Sequence, residues 1–152
     1  MFVGQPGSGK TTLGKMMVEF LRTEKRNWRK SVFHIDEDDL RKVFPNTDYT
    51  EEGRRKNIQN AHSLLRYLHS NDCDVVISMV SPFRDMRDEM KVEFGGHIEE
   101  IYLTTNKKLR VEYHVPYYEE PVENFIHIDT TKDSPTQSFS KLINILRSKN
   151  MI

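Results

Sequence analysis

Apolar residues recur along this chain with two different spacings, one typical of helices and one typical of buried strands. In three stretches, residues 9–24, 51–70 and 134–149, apolar side chains return at every third or fourth position. One face of a helix packed on a sheet requires this spacing. The apolar positions are Leu13, Met16, Met17, Phe20, Leu21, Ile58, Ala61, Leu65, Leu68, Phe139, Leu142, Ile143 and Leu146. The pattern therefore predicts three amphipathic helices.

Short runs rich in β-branched and aromatic residues lie between these helices and are predicted to be strands. They cover residues 31–35, 74–79, 97–103 and 125–128, and a short apolar pair stands at 2–3. Further helices are expected at about 36–41, 82–95 and 106–111. This alternation predicts an α/β fold with three layers and a parallel sheet of about five strands.

The composition is that of one small globular domain. The chain has 152 residues, and its 23 Lys+Arg and 23 Asp+Glu residues leave no formal net charge. This balance argues against binding nucleic acid or an anionic membrane through bulk electrostatics. The single cysteine, Cys73, excludes an internal disulfide and is typical of a reducing compartment. Because no apolar run approaches the roughly 20 residues of a membrane span and no signal peptide precedes the first strand, we expect a cytoplasmic protein with one domain, residues 1–152.

Residues 4–11 read Gly-Gln-Pro-Gly-Ser-Gly-Lys-Thr and match the phosphate-loop pattern G-x-x-x-x-G-K-[ST]. The glycines let backbone N–H groups turn towards phosphate oxygens, and the helix that follows adds its positive N-terminal end. Lys10 is expected to reach the β- and γ-phosphates, and the Thr11 hydroxyl is expected to bind Mg²⁺. The predicted nucleotide-binding residues are Gly4, Pro6, Gly7, Ser8, Gly9, Lys10, Thr11 and Thr12.

Only Met1, Phe2 and Val3 precede this loop. The strand that feeds a phosphate loop is normally central and buried, so a longer apolar run is expected there. A truncated start and an unusually short first strand both explain the pattern, and the sequence leaves the two open.

A cluster of acidic residues, 36–39, follows the second predicted strand. Ligands bind beyond the carboxyl ends of parallel strands, which places these carboxylates beside the phosphate loop. Asp36 and Asp38 are expected to act on Mg²⁺ through water and on an acceptor hydroxyl. They point the same way only if the backbone turns into a helix there. The alternative is that the acids merely favour a helix N-terminus, and it applies better to Glu37 and Asp39.

Two residues at the start of the second long helix are candidates for binding an anion. Extending the apolar stripe of that helix backwards reaches Arg54 and Asn57. A charged arginine on a buried face needs an anionic partner, which a substrate phosphate or sulfate would supply. Arg55 and Lys56 point elsewhere and are expected in solvent, as is the basic connection at 25–30.

Two arginines follow the third predicted strand. Pro82 is placed to begin the helix there, and Arg84 and Arg87 have the spacing of ordinary surface ion-pair partners on it. The position of Arg84 at the active end of a central strand makes it a further candidate for the site.

Five stretches resemble, in the same order, the adenylylsulfate kinases, which phosphorylate the 3′-hydroxyl of adenosine 5′-phosphosulfate with ATP. The phosphate loop is the first. The others are the acidic stretch 35–41, the aromatic residue Tyr49, the Arg-x-x-Asn-Ile segment 54–58 and the Ser-Pro-Phe-Arg segment 81–84. The resemblance covers about residues 2 to 90. It implies a P-loop NTPase fold of the nucleotide-kinase type and an ATP-dependent phosphotransferase of sulfate assimilation.

The resemblance also implies a role for each matching position. The implied catalytic residues are Lys10, Asp36 and Asp38, and the implied Mg²⁺ ligands are Thr11 and Asp36. The implied substrate-binding residues are Asp38, Arg41, Tyr49, Arg54, Asn57, Ser81 and Phe83. Among them, Tyr49 stacks on the acceptor base, and the two arginines and Asn57 grip the phosphosulfate. The expected partner is a small-molecule nucleotide, with no nucleic acid and no membrane, and a homodimer is compatible with the sequence.

The chain departs from the family pattern in two places. The region between the fourth and fifth strands, residues 106–121, is shorter and less basic than the family's lid. In addition, Glu37 and Asp39 stand where the family has glycine and asparagine, which adds negative charge beside a site for an anionic substrate. The acceptor is therefore left open. Adenylyl sulfate is the first candidate, another nucleotide conjugate (a cytidine diphosphate derivative, for example) or a small metabolite is the second, and a catalytically silent nucleotide-binding module is the third.

Overall fold

The computed structural model describes residues 1–23 and 31–152. The strands are β1 Phe2–Val3, β2 Val32–Asp36, β3 Asp74–Ser78, β4 Glu100–Thr104 and β5 Phe125–Asp129. The helices are α1 Lys10–Thr23, α2 Glu37–Val43, α3 Glu51–Ser70, α4 Arg84–Glu93 and α5 Pro135–Ser148. The basic connection predicted at 25–30 lies outside the described residues.

The strands form one parallel sheet in the order β2-β3-β1-β4-β5. The two-residue strand β1 lies at its centre, where Phe2 pairs with Ser78 of β3 and with Ile101 of β4. Parallel neighbours need crossover connections, and the helices supply them. The predicted three-layer α/β fold with a five-stranded parallel sheet is confirmed.

Each face of the sheet is covered by its own apolar core. On one face α1 and α5 bring Leu13 and Leu142 against the sheet. On the other face α2, α3 and α4 pack over Ile77, with Ile58 and Met90 among the buried side chains. The apolar stripes predicted for α1, α3 and α5 all lie in these cores. Within the described residues, no helix is both long and apolar enough to cross a membrane.

The parallel arrangement gathers three segments at one edge of the sheet. Residues 4–9 follow β1, the acidic stretch 36–39 follows β2, and residues 79–83 follow β3. Because the carboxyl ends of parallel strands meet at the same edge, these segments become neighbours. The sheet therefore assembles the region in which the sequence predicts a site.

Two predicted elements differ in the structure. Strand β4 begins at Glu100 rather than at residue 97, because β1 and β5 pair with it only from Ile101 and Glu100 onwards. The helix predicted at 106–111 does not form. Arg110 has a positive φ of 54°, a left-handed conformation that a continuous right-handed helix excludes. A short 3₁₀ turn, Val111–Tyr113, stands there instead.

We expect His62 of α3 to make stability depend on pH. This side chain is 4% exposed, and burial, followed by the positive charge of Arg66, lowers its pKa from 6.5 to about 4 against the opposing effect of Glu93. Between those values the unfolded chain takes up a proton that the folded chain does not. The free energy of unfolding should therefore fall as the pH drops from about 6.5 towards 4, by up to about 3 kcal/mol.

Urea unfolding at pH 7 and pH 5 measures this contribution. Carboxylates elsewhere add their own dependence, so the informative quantity is the difference between the wild type and His62→Leu. In the variant, the stability lost between the two pH values should shrink by about 2 kcal/mol. An identical loss in both proteins would mean that His62 titrates alike in the folded and unfolded chains.

Candidate active site

The phosphate loop has the geometry that its sequence predicts. Gly4, Gly7 and Gly9 all have positive φ, of 138°, 84° and 97°, a conformation that glycine adopts at little cost. A Cβ at Gly9 would meet no neighbouring atom within 4 Å, so this part of the loop faces open space. The loop leads directly into α1, whose first residue is Lys10. An anion at this point would meet backbone N–H groups and the positive end of a helix.

Lys10 is held beside the loop before any phosphate arrives. Its ammonium group donates a hydrogen bond to the carbonyl oxygen of Gln5 at 2.8 Å. Burial lowers the pKa of Lys10 from 10.5 to about 8, with a further lowering by Arg110 and an opposing effect of Glu37, Asp36 and Asp38. A polyanion bound here would favour the protonated form, so Lys10 is prepared to neutralise phosphate charge.

The chain turns from β2 into helix α2 at the acidic stretch. If the strand continued there, the side chains of Asp36 and Asp38 would not point in the same direction. Asp36 ends β2 and is the N-cap of α2, where its Oδ1 accepts a hydrogen bond from the Asp38 N–H at 3.1 Å. Its other oxygen, Oδ2, accepts one from the Thr11 hydroxyl at 2.7 Å. Both acids line the same cleft. Asp36 is thus the N-cap of a helix, and it also lines the cleft in which the sequence predicts a site.

Thr11 and Asp36 together present oxygen atoms suited to a hard cation. Mg²⁺ prefers oxygen ligands and is usually bound by one or two protein groups together with water and substrate phosphates. A hydroxyl and a carboxylate 2.7 Å apart at the end of the phosphate loop fit that donor set. The described residues contain no cluster of three His, Cys, Asp or Glu side chains that could hold a metal without a substrate.

Glu37, which adds a charge relative to the family pattern, is tied into the fold. Its Oε2 accepts a hydrogen bond from the Val80 N–H at 2.8 Å, and its Oε1 lies 3.5 Å from Arg41 Nη2. It is also the carboxylate that most strongly opposes the lowering of the Lys10 pKa. The additional negative charge therefore has cationic neighbours.

One cleft of about 730 Å³ contains most of the predicted site. That volume lies within the range of small-molecule pockets. The predicted residues that line it are Pro6, Gly7, Gly9, Lys10, Thr11, Thr12, Asp36, Asp38, Tyr49 and Arg54. Phosphate-loop groups and acceptor-side groups thus share one cavity.

Tyr49 stands at this cleft between two arginines. The Arg41 guanidinium lies 4.3 Å and the Arg54 guanidinium 5.5 Å from the centre of its ring. Arg41 itself is buried and donates to the carbonyl oxygens of Asn46 and Asp48 at 2.9 and 3.1 Å. Arg41 therefore holds the loop that presents Tyr49, whereas Arg54 reaches the cleft directly.

The other predicted residues are not among those that line the cleft. Gly4, Ser8, Arg41, Asn57, Ser81 and Phe83 are buried and do not line it. Both amide atoms of Asn57 and the Ser81 hydroxyl have no hydrogen-bond partner among the described residues. A buried polar group without a partner is costly, which marks both residues as unusual.

Phe83 is covered by neighbours that the sequence did not indicate. The Arg55 guanidinium lies 4.0 Å from its ring centre, and Tyr117 stacks on it at 5.9 Å. Arg55 also pairs with Asp85 at 2.9 Å. The Arg55 side chain is 36% exposed and so meets solvent as predicted, but it also makes contacts that the sequence did not indicate. Lys56 is exposed as predicted.

Arg84 fixes a loop instead of lining the cleft. Its N–H donates to Glu119 Oε2 at 2.6 Å, which caps α4 where Phe83 makes no side-chain cap. Its Nε donates to the Glu120 carbonyl oxygen at 2.9 Å. The helix accordingly begins at Arg84, two residues after Pro82.

The prediction from the sequence also did not include the role of Arg87 in the buried core. This arginine is fully buried and pairs with Glu100 at 2.6 Å. It also donates to the carbonyl oxygens of Ser81 and Glu119, both at 2.6 Å. The signal was present, because Met86 and Met90 flank Arg87 at the spacing of a buried helix face. The prediction of a surface ion-pair partner is therefore wrong.

The family model for adenylylsulphate kinase matches residues 1–137. The chain belongs to the adenylylsulphate kinase family. Since the family is one of kinases, the protein is a P-loop phosphotransferase with a nucleotide-binding site. This conclusion confirms the family resemblance, the fold type and the enzyme class predicted from the sequence.

Individual relatives of this adenylylsulphate kinase family member are distant. A cytidine diphosphoramidate kinase of Campylobacter jejuni is 22% identical over 137 residues, covering 87% of this chain and 78% of the relative. An adenylyl-sulfate kinase of Oceanobacillus iheyensis is 25% identical over 172 aligned positions, covering 99% and 84%. The structure of Mycobacterium tuberculosis APS kinase in complex with AMPPNP and APS superposes with a TM-score of 0.74 at 20% identity, covering 96% and 95%. This structural likeness shows the shared fold.

Proposed function

We propose that the protein transfers a phosphoryl group from ATP to a hydroxyl of a small nucleotide, with the 3′-hydroxyl of adenosine 5′-phosphosulfate as the first candidate acceptor. The observation that carries this proposal is the single cleft shared by Lys10 and Thr11 with Asp38, Tyr49 and Arg54. Phosphoryl transfer requires donor and acceptor to be positioned together, with charge neutralised around the transferring group. Family membership supports the same reaction class.

Different residues of the chain would perform different parts of this reaction. ATP would supply the phosphoryl group, and Mg²⁺ held by Thr11 and Asp36 would neutralise charge on its phosphates. Lys10 and the backbone N–H groups of the phosphate loop bind and orient the same phosphates. Asp38, fixed at the start of α2, accepts the proton of the acceptor hydroxyl or orients that hydroxyl for in-line attack.

The acceptor side is supported by a stacking surface and by cations. Tyr49 offers a ring face at the cleft, and Arg54 beside it offers a positive charge for an acceptor phosphate or sulfate. The buried Asn57 amide and Ser81 hydroxyl lack hydrogen-bond partners among the described residues, which supports a polar recognition role for them. Arg41 would contribute by holding the Tyr49 loop, and Phe83 by packing against Tyr117.

A cytidine diphosphate conjugate is the second candidate acceptor. It is favoured by the Campylobacter relative, whose name identifies it as a cytidine diphosphoramidate kinase, and by the short region 106–121. Glu37 and Asp39, in place of the family's glycine and asparagine, also favour a changed acceptor. Retention of Lys10, Thr11 and Asp38 at one cleft argues against a silent nucleotide-binding module.

A single kinase domain in the cytoplasm is part of the same proposal. One sheet takes its strands from residues 2 to 129, and α5 packs back onto α1, which supports treating residues 1–152 as one domain. The proposed partners are small nucleotides, with neither nucleic acid nor a membrane. A homodimer is compatible with this arrangement, and analytical ultracentrifugation measures the oligomeric state directly.

A coupled assay of ADP release with Mg·ATP tests the acceptor. Adenosine 5′-phosphosulfate, cytidine diphosphoramidate, cytidine diphosphate and simple alcohols are compared at equal concentrations. Turnover with adenosine 5′-phosphosulfate supports the first candidate, and turnover only with a cytidine conjugate supports the second. Tight ATP binding with no turnover on any acceptor would overturn the proposal in favour of a silent module.

The Asp38→Asn variant is expected to lower kcat by about 100-fold or more while leaving ATP affinity within about twofold of the wild type. The reason is that the amide keeps the shape of the side chain but cannot take up a proton, and groups of this kind contribute about 10²–10⁴-fold. Asp39→Asn is the matched control for kcat and ATP affinity, because Asp39 is exposed, does not line the cleft and pairs only with Lys42 among the described residues. An effect of its charge on the acceptor would change the KM of the acceptor instead. Steady-state kinetics and calorimetric titration of ATP separate the two quantities. Equal losses of kcat and ATP affinity would instead indicate a structural role for Asp38.

A further inference from the structure

The segment Leu109 to Val115 lies directly against the phosphate loop. At one end, a Cβ on Gly7 would come within 2.4 Å of the Leu109 carbonyl oxygen, so the two backbones are in close contact. Near the other end, a ring nitrogen of His114 lies 3.1 Å from the Pro6 carbonyl oxygen. At the other end, Val115 is joined to Gln5 by two hydrogen bonds. We call residues 109–115 the covering segment.

Gln5 supplies the most specific of these contacts. Its side-chain amide donates to the Val115 carbonyl oxygen at 2.8 Å and accepts from the Val115 N–H at 2.9 Å. These two hydrogen bonds satisfy the Val115 backbone in the way that a neighbouring strand would. Val115 is 2% exposed, so its backbone groups would lack water if Gln5 were absent. The phosphate-loop pattern leaves the Gln5 position unspecified, so this contact is additional to the motif.

The covering segment brings further polar groups to the nucleotide cleft. Arg110, Glu112, Tyr113 and His114 all line it together with Lys10. Arg110 adopts its left-handed conformation there, with its guanidinium 5.4 Å from the centre of the Tyr113 ring. Its charge is close enough to Lys10 to lower the pKa of that lysine. Arg110 is therefore a second cation beside the phosphate loop.

Gln5 also contacts Lys10, through its own backbone. Its carbonyl oxygen accepts from the Lys10 ammonium at 2.8 Å, while its side chain holds Val115, five residues beyond Arg110. One residue thus fixes the resting position of Lys10 and the attachment of the segment that carries Arg110. No other phosphate-loop side chain in the described structure bonds to the backbone of the covering segment.

We propose that Gln5 is a positioning residue that fastens the covering segment to the phosphate loop and so holds Arg110 at the phosphates of bound ATP. The proposal rests on the proposed function only in requiring that the cleft binds ATP. On this proposal, the shortened region 106–121 is a fixed cover attached to the ATP-binding side of the cleft, where the family has a longer basic lid.

The first test compares Gln5→Met with the wild type by calorimetric titration of Mg·ATP and by hydrogen exchange of the Val115 amide. Methionine keeps the length of the side chain and removes both hydrogen bonds. We expect about tenfold weaker ATP binding, which corresponds to about 1.4 kcal/mol, and faster exchange of the Val115 amide. Gln59→Met, on the exposed face of α3, is the matched control and should change neither quantity.

The second test asks whether Gln5 acts through Arg110. Arg110→Met is expected to weaken ATP binding by about tenfold, and the Gln5→Met/Arg110→Met double variant should be no weaker than the worse single variant, because coupled residues are not additive. Fully additive losses, or wild-type ATP affinity in Gln5→Met, would overturn the proposal. A wild-type protein that binds no ATP would refute the proposed function instead, and urea unfolding of each variant identifies any loss that is merely one of folding.

Discussion

The Lys10→Met variant is expected to lose phosphoryl transfer almost completely, with kcat about 10³-fold lower than in the wild type. Lys10 is a buried cation at the start of α1, it lines the cleft, and its ammonium group bonds to the Gln5 carbonyl oxygen of the phosphate loop. Removing one such preorganised donor costs about 10²–10³-fold in kcat in other enzymes, and here the lost group also carries a full charge. Methionine retains the unbranched stem, so packing in the loop should be preserved.

Lys15→Met is the control for this variant, because Lys15 lies on the same helix but is exposed. Its kcat should stay close to the wild-type value. The pH profile gives an independent check. With a pKa of about 8 in the free enzyme, Lys10 loses its proton as the pH rises through 8, so kcat/KM for ATP should fall above that pH. Substantial activity in Lys10→Met would exclude Lys10 from the chemistry.

The Arg87→Met variant is expected to have the largest effect on stability, with a loss of about 3 kcal/mol in the free energy of unfolding. Arg87 and Glu100 are both fully buried, and removing one partner of a buried pair leaves a charge without compensation, at a cost of about 3–5 kcal/mol. The Lys91 ammonium lies 2.8 Å from Glu100 and still pairs with it in the variant. We therefore expect the loss of stability to be at the lower end of that range. The carbonyl oxygens of Ser81 and Glu119 lose their donor as well.

Arg66→Met provides the matched comparison. Arg66 also contacts a carboxylate through two nitrogens, at 2.6 Å each from Glu93, but both side chains are about 40% exposed. Pairs exposed to water contribute about 0–1 kcal/mol, so urea unfolding should separate the two variants clearly. The Arg87→Met/Glu100→Gln double variant should recover part of the loss because it removes the stranded charge. A similar stability for Arg87→Met and Arg66→Met would show that burial does not increase the contribution of the ion pair to the free energy of unfolding.

The predictable part of the site is local in sequence. The loop at 4–11, Asp36 and Asp38 each follow a strand directly, so recognising a parallel sheet was enough to place them at one edge. Tyr49, which the family resemblance implied, and Arg54, which the extended apolar stripe of α3 indicated, also line the cleft. The assignments of Arg41, Asn57, Ser81 and Phe83 to substrate remain predictions, because these residues are buried and do not line the cleft.

The unpredictable part depends on contacts between distant segments. Gln5 meets Val115 across 110 positions of chain, and Arg84 meets Glu119 across 35. No periodic pattern in the sequence predicts either contact. Arg110 interrupts the helix predicted at 106–111, and the covering segment instead follows the surface of the phosphate loop.

The sequence by itself determined the order of the five strands and of helices α1 to α5, the phosphate loop and the place of the acidic residues after β2. These features follow from local rules, namely the spacing of apolar residues and the conformational freedom of glycine. Only the tertiary structure decided that Arg87 is buried, that Arg41 supports a loop and that residues 109–115 lie against the phosphate loop. The physical reason is that desolvation and hydrogen bonding act between side chains brought together by packing, whatever their separation along the chain.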